Sequence, residues 1–316
     1  ALTVIAPLAV AVVLGGAVAV LLHLKEPLHR FAGRIGERDI WAIMQLVLIA
    51  LVILPVLPDR AFGPYGVLNP YQIWWMVVLI VGLSLAGYVA YKLFGAGAGT
   101  ALSGVLGGLI SSTATTVSYA RQSRETPKDP ERARLAALVV MIASTVVFGR
   151  VLVEIAAVAP RQLVAMGPPI GAMLGVAVLI SIGAWFLGRD SEAEPPKPEN
   201  PAELKSALVF GVLYAAVLLA VAFARDRFGT AGLYAVAGIS GLTDVDAITL
   251  STSRLVDGGG VDPRTGWRAI LLAALSNLVF KAGIVAALGS RGLFGRIALL
   301  FGLAILGGAA IWWLWP

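Results

Sequence analysis

Residues Gly241 to Arg254 read GLTDVDAITLSTSR, and they set two carboxylates, Asp244 and Asp246, inside a run otherwise apolar enough for a membrane-buried helix. An acid in hydrocarbon is costly, so an intramembrane aspartate marks a candidate functional site by default. The stretch has a partner 133 residues earlier: Gly108 to Arg121, GLISSTATTVSYAR, matches it without a gap at Gly, Leu, Ala, Thr, Ser and Arg. In that register Ser111 aligns with Asp244, Thr113 with Asp246 and Thr116 with Thr249. Hydroxyls of the earlier copy therefore stand where the later copy has carboxylates, and two copies of one polar segment point to one site built from both.

The surrounding composition places the chain in a membrane. It is 59% hydrophobic and 13% charged, with a mean hydropathy of +0.88, against roughly 25% charged residues in soluble domains. The formal charge of +6 comes from Lys and Arg lying between apolar runs, where they set topology, and nothing supports nucleic-acid binding. There is no cysteine, which excludes thiol nucleophiles, thiolate metal sites and disulfides. The first apolar run lacks a secretory cleavage pattern and is expected to be a retained helix; beginning at Ala1, the chain can also be a piece of something longer.

About 20 apolar residues cross a bilayer. Ten hydrophobic segments answer to that description: 2–22, 40–58, 72–91, 97–120, 135–159, 163–187, 206–224, 230–253, 267–289 and 297–315. The expected fold is thus an all-α polytopic membrane protein. Trp74, Trp75, Trp312, Trp313 and Trp315 sit at segment ends, as an interfacial aromatic belt or as plain lipid-facing bulk. Residues 188–205 form a Pro-rich, charged linker. Offset by 133, Ala98 to Pro130 and Ala231 to Pro263 share ten identities, so we read an internal duplication. The organisation is then an N-terminal helix pair (1–58), repeat 1 (72–187), the linker, and repeat 2 (206–316), with four segments per repeat.

Charge decides between two topologies. If all ten segments span, alternate loops hold 10 and 12 Lys plus Arg; if 97–120 and 230–253 are re-entrant or broken helices, the division becomes 15 against 7. Only the second restores a positive-inside asymmetry, and it makes the repeats inverted, as in many secondary transporters. The length of each polar segment, sufficient for a full span, argues the other way.

Around the motifs, Ser111, Ser112, Thr113 and Thr116 in the first copy and Thr243, Asp244, Asp246 and Thr249 in the second are the candidate cation- or proton-binding residues, with Asp244 and Asp246 as metal-binding acids. Hard cations take such oxygens. Ser and Thr also serve as ordinary packing between membrane helices. On a regular helix Thr243, Asp246, Thr249 and Ser253 share a face while Asp244 points roughly 160° away. Both acids can serve one site only if the backbone unwinds between them. Arg150 and Glu154, four apart, can pair on one helix face, and Asn277 and Lys281 hold a comparable place in the second half. These four are the candidate intramembrane charge partners. They could compete with a transported cation or simply neutralise the aspartates.

Catalysis is disfavoured. The two aspartates lie on one segment, where an intramembrane aspartyl protease needs one from each of two. A single D-x-D stands in place of a multi-aspartate diphosphate motif, and there is no G-x-S-x-G or H-E-x-x-H. No cofactor is implied. His23 and His29 match no metal spacing.

The stretch LPVLPDRAFGPYGVLNPYQIWWMVVLIVGLSLAGYVAYKLFG, followed by GGLISSTATTVSYARQS and GLTDVDAITLSTSRL, resembles an uncharacterised bacterial and archaeal membrane family often found joined to MgtC/SapB proteins. The resemblance runs from about residue 25 to the C-terminus. It implies a multi-pass protein of the plasma (inner) membrane, and through the connection of MgtC with magnesium homeostasis it tilts the substrate toward a divalent cation. It carries over no catalytic residues. The expectation is a secondary carrier of a small cation, coupled to protons; a non-transporting regulatory or scaffold protein and an organic-anion carrier are the alternatives, and a homodimer is compatible with the small-residue helices.

Overall fold

The computed structural model describes residues 37–94, 99–125, 127, 129–186 and 204–316; the first apolar run, His23, His29 and nearly all of the 188–205 linker lie outside them. From residue 40 onward the apolar runs fold as helices, and among the described residues the only β contact is an isolated bridge between Phe62 and Leu68. Helix α1 (Glu37–Val47) continues through a π-helical turn, Leu48–Ile53, into α2 (Leu54–Val56). The Trp74 indole N–H donates to Ile49 O of that turn at 2.9 Å. Then come α3 (Pro70–Phe94), α4 (Thr100–Glu125), α5 (Pro130–Val158), α6 (Leu163–Phe186), α7 (Leu204–Thr243), α8 (Val245–Asp257), α9 (Pro263–Leu288) and α10 (Arg291–Leu314). Six helical stretches among the described residues are long and apolar enough to cross a bilayer: Pro70–Tyr91, Pro130–Val158, Pro160–Phe186, Ala207–Thr243, Pro263–Leu288 and Arg291–Leu314. The chain is a multi-pass membrane protein.

Three breaks shape this bundle. Gly229, at φ +59° and ψ −138°, reverses α7. That region suits glycine because an L side chain there crowds the backbone, and a Cβ on nearby Gly232 would stand 2.1 Å from Ala224 O, so the two limbs touch backbone to backbone. The expected segment 230–253 is then divided again, because Asp244 (φ −150°, ψ 126°) separates α7 from α8. In α4 the break falls at Ser111, φ −166° and ψ 107°. Residues eight apart on a straight helix are about 12 Å apart, yet a Cβ on Gly107 would lie 2.6 Å from Thr115 Oγ1. The two limbs of α4 therefore fold back on each other.

Contacts at the two ends of the bundle give the helix directions. At one end Arg254 of α8 bonds Gln72 at the start of α3, Gly260 lies against Arg225 at the end of the first limb of α7, and Arg268 of α9 donates to Trp312 O of α10. The second limb of α7 and α8 thus leave from this end and return to it. At the other end Ser290 N donates to Ser123 Oγ, Arg124 donates to Ala287 O, and Gly292 lies near Ala133. Helices α3 and α9 run away from the Gln72 end; α5, α10 and the first limb of α7 run toward it.

Close packing is set by glycine. A Cβ on Gly108 would meet Ala143 O of α5 at 2.6 Å, and one on Gly241 would meet Ala273 O of α9 at 2.2 Å. These glycines align at the 133-residue offset, and each lets a breaking helix press its backbone on the helix that follows.

Candidate functional site

The site assembles at the Ser111 and Asp244 breaks. A broken helix frees backbone groups that must find other partners in a medium without water. Ser111 Oγ accepts from Ala114 N at 3.2 Å, and Asp244 Oδ1 accepts from Asp246 N and Ala247 N at 2.7 and 3.2 Å, so each residue caps the helix after its own break. The carbonyls before the breaks are taken by the helices that follow: Arg150 Nη1 of α5 donates to Leu109 O at 3.3 Å, and Asn277 Nδ2 of α9 donates to Gly241 O at 2.9 Å.

Cations then cross between the halves. Arg150 Nη2 of α5 meets Asp246 Oδ2 of α8 at 2.5 Å, with 9% and 17% of their side chains exposed. Lys281 of α9, fully buried, donates to Ser112 Oγ of α4 at 2.8 Å and Ser144 Oγ of α5 at 3.4 Å. The aspartates can both address this centre because the backbone is extended at Asp244, the condition their spacing imposes.

The remaining expected residues fall as follows. Arg150 takes Asp246 as its partner, so the pair expected with Glu154 along one helix face is replaced by one across 96 residues of chain. Glu154 is 0% exposed and, among the described residues, no N–H or hydroxyl donates to its carboxyl oxygens; its charged neighbours are Asp246, Arg150 and Asp244. Asn277 and Lys281 act separately, one on the broken backbone and one on hydroxyls. Thr116 donates to Ser112 O at 2.8 Å and Thr115 to Ser111 O at 2.9 Å. Thr113 is half-buried beside them. Thr249, fully buried on α8, has no hydrogen-bond partner among the described residues. Thr243 is exposed and bonds Ser240 O at 3.0 Å, which turns it away from the centre.

Three carboxyls and two cations make up this centre: Asp244, Asp246 and Glu154 against Arg150 and Lys281. Two such charges in a low-dielectric interior hold each other only with good geometry and further hydrogen bonds, which Arg150 has at both ends of its fork. Among the described residues no three or more His, Asp or Glu side chains are arranged to hold a metal. Asp246 Oδ2 is engaged by Arg150 and Asp244 Oδ1 by the start of α8, so an incoming ion would compete for occupied oxygens.

A cavity of about 810 Å³ is an apolar groove between α4, α5 and α6 that reaches Arg150 from the side. It includes Ala101, whose partner at the 133 offset is Tyr234, and in the second half the Tyr234 ring packs against Trp312 at 5.2 Å. Arg268 lies over the Trp312 ring at 5.8 Å.

Two of the roles were not foreseen in the sequence: Asp244 as a helix cap and Asn277 as donor to a broken backbone. The cap had a signal, an Asp, one of the residue types preferred at helix starts, in the middle of an apolar run. Asn277 had none.

A family model described as a domain of unknown function, DUF4010, matches residues 78–289. An uncharacterized protein of Aquifex aeolicus (strain VF5) is 28% identical over 202 residues, which are 63% of this chain and 86% of that one. No solved structure matches.

Proposed function

For this chain, a member of the DUF4010 domain family, we propose the role of a secondary carrier in the plasma membrane that exchanges a small cation for protons. The observation that carries it is the meeting of two sequence-equivalent helix breaks, at Ser111 and Asp244, on a buried cluster of ionisable groups. Broken helices whose ends and polar side chains meet at mid-depth are how carriers offer polar groups to a solute inside a bilayer. The helix directions support two inverted repeats. Helices α3, α4, α5 and α6 correspond to the first limb of α7, the second limb with α8, α9 and α10, each running the opposite way. Helix α4 and the α7–α8 hairpin are then re-entrant, and the division of 15 against 7 Lys plus Arg supports a cytoplasmic Ser123 end.

The charge balance favours a cation. Three carboxyls stand against two basic groups, an excess of acids that a proton or a cation can serve in turn. Asp246 would release Arg150 as the ion enters, with Asp244, Thr113 and Ser112 completing an oxygen shell. Magnesium fits such a sparse set because it retains several waters, and a functional link to MgtC/SapB proteins would agree with it.

A second reading, an organic-anion carrier, is favoured by Lys281, which is buried with hydroxyl partners and, among the described residues, no carboxylate within bonding distance. A regulatory membrane protein with structural aspartates is the third. Purified protein in liposomes separates them. Under the cation reading Asp246→Asn stops cation flux in the protein that folds, Glu154 and Asp244 still lying near Arg150, while anion uptake is absent throughout. Uptake of anions that Lys281→Met abolishes and Asp246→Asn spares would replace it with the second reading; absence of any ion flux with the folded wild-type protein would favour the third.

A further inference from the structure

In the second half, the limb before the Asp244 break is propped by rings: Tyr234 of α7 packs on Trp312, near the end of α10, at 5.2 Å. The first half has alanine, Ala101, at the counterpart of Tyr234. Between the first limb of α4 and Trp185, near the end of α6, lies the groove of about 810 Å³. It is continuous along three helices. Ala101, Val105 and Leu109 recur every fourth residue on α4, and Val178, Ile182 and Trp185 recur at four and three on α6. On α5 between them Gly149 leaves open space, since a Cβ there would meet nothing within 4 Å. From Phe186 to Leu174, both in its wall, the groove runs about 18 Å at 1.5 Å per residue. Helix α6 returns from the short turn Pro160–Gln162, so Trp185 and Phe186 lie at the Ser123 end. Leu109 and Arg150 close the other end, beside the Ser111 break.

The chemistry of the wall selects the occupant. Its two hydroxyls, Thr145 and Ser181, bond each other at 2.9 Å and the carbonyls of Met141 and Ala177 at 2.9 and 2.8 Å. The Arg150 fork is turned to Asp246 and Leu109 O. The rest of the wall is apolar side chain, a place for hydrocarbon rather than for an ion. Val105, Val153, Val178 and Ile182 are exposed along the open side, which in a multi-pass protein faces the bilayer. The volume is in the range that holds a single small ligand. The length is close to half the roughly 30 Å hydrocarbon thickness, the depth of one leaflet. Trp185 and Phe186 put aromatic rings at the mouth, where headgroups begin.

We propose that this groove is a lipid site: one acyl chain of a phospholipid from the leaflet at the Ser123 end lies along it with its methyl end toward Leu109. The acyl chain holds the first limb of α4 against α6, as the Tyr234 and Trp312 rings hold the second limb of α7 against α10. It completes the wall around the Ser111 break and is separate from the ion-binding oxygens.

Protein purified in mild detergent and weighed intact by mass spectrometry reports the phospholipid retained per chain and the oligomeric state together. Ala101→Tyr fills the groove at its mouth with the residue its counterpart carries, and Gly149→Phe fills it from α5. The wild type is expected to retain several-fold more phospholipid than either. Gly295→Phe adds the same ring on α10, where a Cβ also meets open space, and is expected to retain as much as the wild type. Should Gly149→Phe fail to fold, Ala101→Tyr carries the comparison. Equal retention by the wild type and the groove variants, or none by the wild type, would overturn the site. So would a wild-type dimer that Ala101→Tyr disperses without loss of lipid, because a second copy would then be what fills the groove. No flux enters the count, so a failed carrier and a failed lipid site are told apart.

Discussion

Gly241→Ala is the sharpest perturbation of the fold's central packing. A Cβ there would stand 2.2 Å from Ala273 O and 2.5 Å from Ala273 Cα, where ordinary contact begins at 3.4 Å. The α7–α9 interface must open by about 1.2 Å to admit one methyl group, and both clashing atoms are backbone, so no side chain can swing aside. Overpacking of this kind costs about 1–3 kcal/mol. The same displacement lengthens the 2.9 Å bond from Asn277 to Gly241 O, which contributes about 1 kcal/mol more. The expected loss is about 2–4 kcal/mol. Gly302→Ala is the matched control, since its Cβ meets nothing within 4 Å in the middle of α10; removing a helix-interior glycine there stabilises by up to about 1 kcal/mol. Unfolding of the detergent-solubilised protein, followed by tryptophan fluorescence, measures both. Equal midpoints for the two variants would refute the close approach of α7 and α9.

Other consequences follow from single contacts. Asn277→Leu leaves Gly241 O buried without its donor and should cost about 1–3 kcal/mol in the same unfolding measurement. Arg150→Met strands Asp246 beside Glu154 and should destabilise by about 3–5 kcal/mol, whereas Arg150→Met with Asp246→Leu should recover most of the loss; additive losses would deny the pair. Asp262 caps α9 through Thr265, and that hydrogen bonding holds its carboxyl below the usual range. Its folded pKa being depressed, the cap's contribution is full above the unfolded value of about 3.9 and is lost as pH falls through the folded one. Asp262→Ala should therefore lower the unfolding midpoint at pH 7 by the equivalent of about 1 kcal/mol, with the gap to wild type closing under strong acid.

Much of the architecture was legible because the bilayer restricts what an apolar run can do. Ser111 and Asp244 align in the sequence, and the structure breaks its helices at those two residues. The two-residue spacing of Asp244 and Asp246 already required unwinding if both were to serve one site. Partner choice was hidden. Glu154 is four residues from Arg150 and so the natural candidate by helical spacing, but Asp246 arrives from 96 residues away and takes the guanidinium. Spacing reports neighbours along a helix, and it is silent about which helix packs against it. Asn277 was hidden for the same reason, since its partner is a carbonyl that exists only because another helix breaks. The π-helical turn at Leu48–Ile53 is not legible either, its Ile49 carbonyl being held by Trp74, for which position at a segment end suggests only an interfacial or a lipid-facing place.

The central claim is that Asp246, at the meeting of the two breaks, alternates between a cation and a proton. It is tested most directly by trapping a pH-sensitive dye inside proteoliposomes and adding magnesium or a monovalent cation outside. The wild-type protein should change the internal pH as protons leave against the entering cation, and Asp246→Asn, compared at equal amounts of folded protein, should leave it flat. An internal pH that responds to no cation with the wild-type protein, or equally with both proteins, would contradict the account.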